Sequence, residues 1–151
     1  MKLDGFSGFI PVKEMPVSYD KITELPGVYV VLRESEDTPQ FVETGSGGFF
    51  KGKNPNVEVS ELKANYLNGC NILYIGKATN LKNRLKQLIR FGQGKAVGHW
   101  GGRYLWQLAD AQNLIVAWMP TPGVDSRSVE IKMLEEFVQE FGALPFANLN
   151  K

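Results

Sequence analysis

The sequence predicts a small α/β domain, in which a three-stranded sheet of mixed or antiparallel strands is flanked by helices. Runs rich in β-branched and aromatic residues at positions 25–32, 71–76 and 113–118 have the composition of strands. Segments 81–91 and 129–141 instead repeat their apolar residues at helical spacing. A chain of 151 residues is long enough for a single core, so we expect one domain.

Within this single domain of residues 1–151, the chain begins with an irregular lead-in over residues 1–24. Three of its apolar side chains, Phe6, Phe9 and Ile10, are expected to pack over the core. The first strand follows directly and is entered through a Pro-Gly turn.

A long insertion, residues 33–71, separates the first two strands. It contains a glycine-rich loop at 45–48 and a short predicted helix at 60–67. The third strand ends at a Pro-Thr-Pro-Gly turn, after which Asp125 or Ser126 is placed to cap the last helix.

The helix that follows the second strand carries a base where an apolar residue is expected. Asn80 is a suitable N-cap for this helix. On the helical wheel Arg84 lies between Leu88 and Phe91, inside the apolar arc, whereas the other lysines and arginines of the helix lie on the solvent side.

The last helix carries an acid in a comparable position. Glu130 falls near the centre of an apolar arc, whereas Glu135 and Glu136 fall on the solvent side. An unpaired carboxylate directed into a core is costly, so it normally has a metal, a cation or hydrogen-bond donors as partner. The misplaced acid and base therefore indicate a polar site in a cleft. The apolar arc consists of Val129, Ile131, Met133, Leu134, Phe137, Val138 and Phe141.

Five sequence elements occur in a recognisable order: Gly27-Val28-Tyr29, Tyr74-Ile75-Gly76 with Lys77, Arg84, Glu130, and Pro145 with Asn148. With these elements the chain resembles the GIY-YIG nuclease family, from about residue 25 to residue 148. Each triplet alone is a weak signal, whereas all five elements in order are a strong one. The insertion 33–71 departs from the short hairpin that is usual in the family.

The resemblance implies a metal-dependent endonuclease that hydrolyses phosphodiester bonds of DNA. It implies Glu130 as the ligand of Mg²⁺ or Mn²⁺, because a hard cation takes oxygen ligands and one carboxylate suffices when phosphate and water supply the others. Arg84 and Lys77 are the expected contacts of the scissile phosphate.

The resemblance also implies roles for two tyrosines and an asparagine. Tyr29 is expected to act as general base if neighbouring cations lower its pKa, which is about 10 for a free tyrosine. Tyr74 is expected to orient water or phosphate. Asn148 is expected to brace the site through hydrogen bonds.

Charge is strongly segregated along the chain. Residues 62–109 contain eight Lys/Arg and no Asp/Glu, which gives +8, whereas residues 1–61 carry −4 and residues 110–151 carry −3. Such segregation produces a local positive field that attracts a phosphate backbone, although a solvated helix face is the simpler interpretation of a basic helix alone. The candidate nucleic-acid contacts are Lys82, Lys86, Arg90, Lys95, Trp100 and Arg103, with Trp100 stacking on a base.

The chain has one histidine, His99, in a glycine-rich loop of the basic stretch. Two interpretations of His99 remain open. It acts as a general base or phosphate contact, or it is a loop histidine that is hydrogen-bonded to backbone. Trp106 and Trp118 are expected in the core.

Two other functions remain open from the sequence. One is a non-catalytic nucleic-acid-binding module with the same fold, and the other is a structural or interaction domain in which Arg84 and Glu130 form a scaffold salt bridge. DNA is the expected partner, and a symmetric double-strand cut would imply a homodimer.

A lone cysteine, Cys70, excludes an internal disulfide. Because no apolar run approaches membrane-spanning length, we expect no membrane partner and a cytoplasmic location.

Overall fold

The computed structural model describes residues 1–149. Its regular elements are four strands and three α-helices, joined by loops and 3₁₀ helices. The strands are β1 (Ser7–Pro11), β2 (Gly27–Leu32), β3 (Ile72–Ala78) and β4 (Ile115–Pro120). The helices are α1 (Val59–Asn65), α2 (Leu81–Gly92) and α3 (Ser126–Phe141). The 3₁₀ segments are Val12–Lys21, Phe50–Gly52, Trp100–Gln107 and Ala111–Asn113.

The predicted α/β class is confirmed, but the prediction of three strands is wrong. The sheet has four strands in the order β1-β4-β2-β3, and every pair is antiparallel. The additional strand, β1, comes from the lead-in that was expected to be irregular. Its register with β4 shifts between Gly8 and Ile10, and Phe9 has a φ of 55°. This bulge interrupts the alternation of apolar and polar residues by which a strand is recognised in sequence.

The bulge also changes the packing of the lead-in. Phe6 and Ile10 are half-buried against the core, as expected, but Phe9 is 45% exposed. The expectation that Phe9 packs over the core is therefore wrong.

The sheet separates two apolar layers, and its central strand β2 serves both. All six residues of β2 are buried because neighbouring strands cover its edges and helical layers cover its faces. Tyr29 and Val31 pack with α2 and the 3₁₀ segment Trp100–Gln107, whereas Val28 and Val30 pack with α3 on the other face. Trp106 and Trp118 are buried in the first layer, as predicted.

Helix α2 begins where the sequence predicts. The Asn80 side chain accepts a hydrogen bond from the Asn83 amide at 3.0 Å, which satisfies one of the amides that have no partner within the helix. For α3 the cap is Asp125, whose carboxylate accepts from the Arg127 amide at 3.3 Å. The helix ends at Gly142, whose φ of 81° is a common helix terminator.

The buried face of α3 is narrower than the predicted apolar arc. Met133 and Phe137 are buried against the sheet, but Ile131 is 43% and Val138 38% exposed. The expectation that these last two belong to the core is wrong, because a helix on a sheet buries only the stripe that faces the strands.

The insertion has little regular structure beyond α1, which lies within two residues of the predicted helix. A buried glutamine holds the insertion to the core. The side-chain amide of Gln107 donates to the carbonyls of Val42, Glu43 and Val57, and its oxygen accepts from the Val57 amide. Among residues 1–149, no helix is long and apolar enough to cross a membrane.

Candidate active site

A cavity of about 480 Å³ opens where β3 ends and α2 begins. It brings together five of the predicted site residues, which are up to about a hundred positions apart in sequence. These five are Tyr29 of β2, Tyr74 and Lys77 of β3, Arg84 of α2 and Glu130 of α3.

The two tyrosines reach the cavity because of the β2–β3 register. Tyr29 pairs with Gly76, and Tyr74 lies two residues earlier on β3, so both side chains project from the same face. A Cβ at Gly76 would lie 2.6 Å from the hydroxyl oxygen of Tyr29. The glycine thus leaves the space that the Tyr29 ring occupies. The ring centroids of the two tyrosines are 6.0 Å apart.

The pKa values of both phenols lie above the ordinary value. Burial is the main cause for each, and it raises the pKa of Tyr29 well above that of a free tyrosine. The charge of Arg84 lowers both pKa values but does not outweigh burial. The condition for Tyr29 to act as general base, a pKa lowered by neighbouring cations, is therefore not met in the free protein, in which both phenols are protonated at neutral pH.

Arg84 is half-buried at the cavity wall. Its Nη1 donates to the Oε1 atom of Gln87 at 2.8 Å and to the carbonyl oxygen of Gly98 at 2.5 Å. A guanidinium has five N–H donors in a planar fork, so these two bonds leave donors for an anion in the cavity.

Glu130 lies on the sheet-facing stripe of α3, one turn after the buried Ser126. Its side chain is half-buried, and burial raises the pKa of its carboxyl group against the opposing charges of Lys77 and Arg127. Among residues 1–149, Arg84 and Glu130 form no ion pair; the pairs present are Met1 with Glu140 and Arg33 with Asp110. The structure thus lacks the salt bridge on which the scaffold interpretation depends.

The donors around the cavity fit a hard divalent cation that keeps most of its water ligands. Glu130 is the one carboxylate among the lining residues, and Thr79, Asn80 and Asn83 add neutral side-chain oxygens. No cluster of three His, Cys, Asp or Glu occurs within residues 1–149, so a cation here would depend on Glu130 with water and a phosphate ligand.

Asn148 braces β3 and does not line the cavity. Its side-chain oxygen accepts from the Ile75 amide at 2.9 Å, and its side-chain nitrogen donates to the Ile75 carbonyl at 2.9 Å. The adjacent Ala147 amide donates to the Leu73 carbonyl at 2.8 Å. The C-terminal segment therefore pairs with the free edge of β3 on either side of Tyr74.

His99 is fully buried behind the tyrosines. Its Nε2 lies 2.8 Å from the Tyr29 hydroxyl oxygen, and its ring packs on Tyr74 at a centroid distance of 5.5 Å. Burial, with a further contribution from the Arg84 charge, lowers the pKa of the imidazole to about 3. His99 is neutral at pH 7 and is not among the residues that line the cavity.

The predicted nucleic-acid contacts fall into two groups. Lys82 and Lys86 are half-buried and Arg90 and Lys95 are exposed, and they follow one side of α2 and its C-terminal end. The second group consists of Trp100 and Arg103, which stack on each other: the Arg103 guanidinium lies 4.7 Å from the Trp100 ring centroid. Trp100 is half-buried between Arg103 and Phe91, from which its ring is 6.4 Å away.

Four polar residues of the cavity lining are not among the site residues that the sequence predicts. Gln87 follows Arg84 at the i+3 spacing at which helix side chains meet, which is a usable signal. Asn80 was identified only as a cap. The four are Thr79, Asn80, Asn83 and Gln87.

Comparisons of the chain with protein-family models, with curated proteins and with solved structures found no match.

Proposed function

We propose that the chain is a metal-dependent endonuclease that hydrolyses phosphodiester bonds of DNA, with a site of the GIY-YIG type. The observation that carries this proposal is the convergence of Tyr29, Tyr74, Lys77, Arg84 and Glu130 on one cavity. Two cations and one half-buried carboxylate beside paired phenols suit a phosphate diester with a divalent cation.

Two sets of cationic side chains, one inside the cavity and one outside it, would bind the DNA phosphates. Inside it, Arg84 binds the scissile phosphate through its remaining N–H donors and Lys77 adds a point charge. Outside it, the cations along α2 follow the phosphate backbone, because Lys82, Lys86 and Arg90 continue from the same helix.

Hydrolysis needs a water oxygen to bond to phosphorus as the bond from phosphorus to the leaving sugar oxygen breaks. One water proton ends on the leaving oxygen and the other is released. Glu130 would hold Mg²⁺ or Mn²⁺, which supplies positive charge to the phosphoryl oxygens when bound. Tyr29 and Tyr74 are protonated in the free protein, so we assign them the orientation of the attacking water by hydrogen bonds.

The test is cleavage of supercoiled plasmid and branched DNA by the wild type and by Glu130→Gln, in Mg²⁺, Mn²⁺ or EDTA. Glu136→Gln is the matched control, since it removes an exposed carboxylate from the same helix outside the cavity. We expect the wild type and the control to cleave with metal only. Glu130→Gln should lose a factor of about 100 or more, the scale seen when one transition-state contact is removed.

The folding control follows from the pKa of Glu130. Because burial already disfavours the charged carboxylate, Glu130→Gln should melt at no lower temperature than the wild type at pH 7. Cleavage by Glu130→Gln at the wild-type rate would exclude Glu130 as ligand. Binding of these DNAs without cleavage in any metal would instead favour the non-catalytic binding module.

A further inference from the structure

The buried pair of Tyr29 and His99 is not explained by the roles above. Both residues are 0% exposed, and the Tyr29 hydroxyl oxygen lies 2.8 Å from the His99 Nε2. Only the tyrosine lines the cavity. The histidine therefore lies behind the phenol and outside the cavity lining.

The segment 98–102 fixes His99 in this position through contacts with the other site residues. The Gly98 carbonyl accepts from Arg84 at 2.5 Å. At Gly102 a Cβ would lie 2.8 Å from the His99 Cε1 and 2.9 Å from its Nδ1, so a side chain there would displace the imidazole. The segment thus couples the position of His99 to that of Arg84.

The surroundings of His99 keep it neutral. The groups that face it are Tyr29 of β2, Tyr74 of β3 and Arg84 of α2, none of which is an anion that would stabilise an imidazolium. A neutral imidazole has one donor and one acceptor nitrogen, and a phenol has a single proton. The direction of the Tyr29–His99 hydrogen bond therefore sets whether the hydroxyl proton of Tyr29 points to His99 or away from it.

We propose that His99 is a positioning residue whose Nε2 accepts a hydrogen bond from the Tyr29 hydroxyl and so leaves the lone pairs of the Tyr29 oxygen directed towards the cavity. An attacking water that donates to this oxygen keeps one of its own lone pairs for phosphorus. The inference rests on the proposed nuclease function, and it assigns Tyr29 the role of hydrogen-bond acceptor for that water.

The first test is spectroscopic and needs no DNA. Because His99 is the only histidine, ¹⁵N-histidine labelling gives signals from one imidazole. We expect a neutral ring with the proton on Nδ1 from pH 5 to pH 8, and a shift of the Nε2 signal in Tyr29→Phe. A proton on Nε2, or a ring that titrates near pH 6.5, would overturn the proposal.

The second test compares the steady-state cleavage of branched DNA by His99→Leu and His99→Gln. Leucine removes the acceptor, and we expect kcat to fall about 10- to 100-fold with little change in KM, as when a reacting group is misplaced. Glutamine offers an oxygen acceptor near the Nε2 position and should recover part of the loss. His99→Asn, whose shorter amide does not reach the phenol, is the control for polarity alone.

The outcomes separate this inference from the proposed function. Cleavage by the wild type with an unchanged kcat in His99→Leu would reject the positioning role alone. If the wild type cleaves none of the DNAs, the nuclease proposal fails and the positioning role fails with it. If His99→Leu does not fold, the comparison of glutamine with asparagine and the NMR experiment still decide the proposal.

Discussion

Burial, more than charge, sets the protonation of the residues around the cavity. It raises the pKa of Tyr74 although Arg84 opposes it, and it raises the pKa of Glu130 although Lys77 opposes it. It lowers the pKa of His99 because the charged form is the imidazolium. The phenols and the imidazole are therefore neutral at pH 7, and a phosphate would meet charge only from the lysine, the arginine and the carboxylate.

The depressed pKa of His99 predicts a component of acid sensitivity. Below pH 6.5 the unfolded chain binds a proton at His99 that the folded protein binds only near pH 3. The stability that neutral His99 contributes above pH 6.5 is thus lost as the pH falls, by at most about 1.4 kcal/mol per pH unit. The difference in unfolding free energy between wild type and His99→Gln, from urea titrations at pH 4 to 7, should change with this slope. A difference that stays constant with pH would contradict the shifted pKa.

At the scale of elements, the register of β2 on β3 and the edge contacts of β3 place the two tyrosines. Tyr29 faces Gly76 across the pair, and Leu73 is the extra residue of a bulge that precedes Tyr74. The C-terminal segment closes the other edge of β3 through Asn148. Tyr74 is thereby held from both sides, by β2 and by a side chain that acts as a strand partner.

Removal of this brace should loosen β3. Asn148→Ala leaves the Ile75 amide and carbonyl without their partner, so we expect a loss of about 1–3 kcal/mol in unfolding free energy. Hydrogen exchange at the Ile75 amide should become faster than in the wild type. Asn65→Ala is the control, because it removes an exposed asparagine whose side chain bonds only within its own helix. Unchanged exchange at Ile75 would show that the edge closes without the side chain.

At the scale of the whole molecule, positive charge is concentrated in one continuous stretch of the chain. Residues 62–109, which include β3 and α2, carry eight of the 17 Lys/Arg and no Asp/Glu, whereas all 16 acids lie in the chain on either side. A net charge of +1 therefore coexists with a positive surface beside the cavity.

This asymmetry predicts the salt dependence of DNA binding. Each phosphate contact that is lost should reduce the slope of log K against log salt by about 0.9 for duplex DNA. Replacement of Lys86 and Arg90 by glutamine removes up to two phosphate contacts and should reduce the slope by up to about 0.9 for each. Lys132→Gln, which removes one charge from the exposed side of α3, should leave the slope unchanged. An equal change in slope per charge removed in the two variants, measured by fluorescence anisotropy from 50 to 300 mM salt, would exclude α2 as the DNA-binding face.

The sequence by itself determined the α/β class, the strands β2, β3 and β4, both long helices, the Asn80 cap of α2, and the placement of Arg84 and Glu130 within otherwise apolar helix faces. These features depend on local periodicity and capping, which neighbouring residues encode. Only the tertiary structure decided the fourth strand, the narrow buried stripe of α3 and the pairing of Tyr29 with His99. Each depends on contacts between distant segments: β1 needs β4 as a partner, and His99 is 70 positions from Tyr29. The pKa values follow from the same cause, because burial is a property of the assembled layers and not of any local sequence.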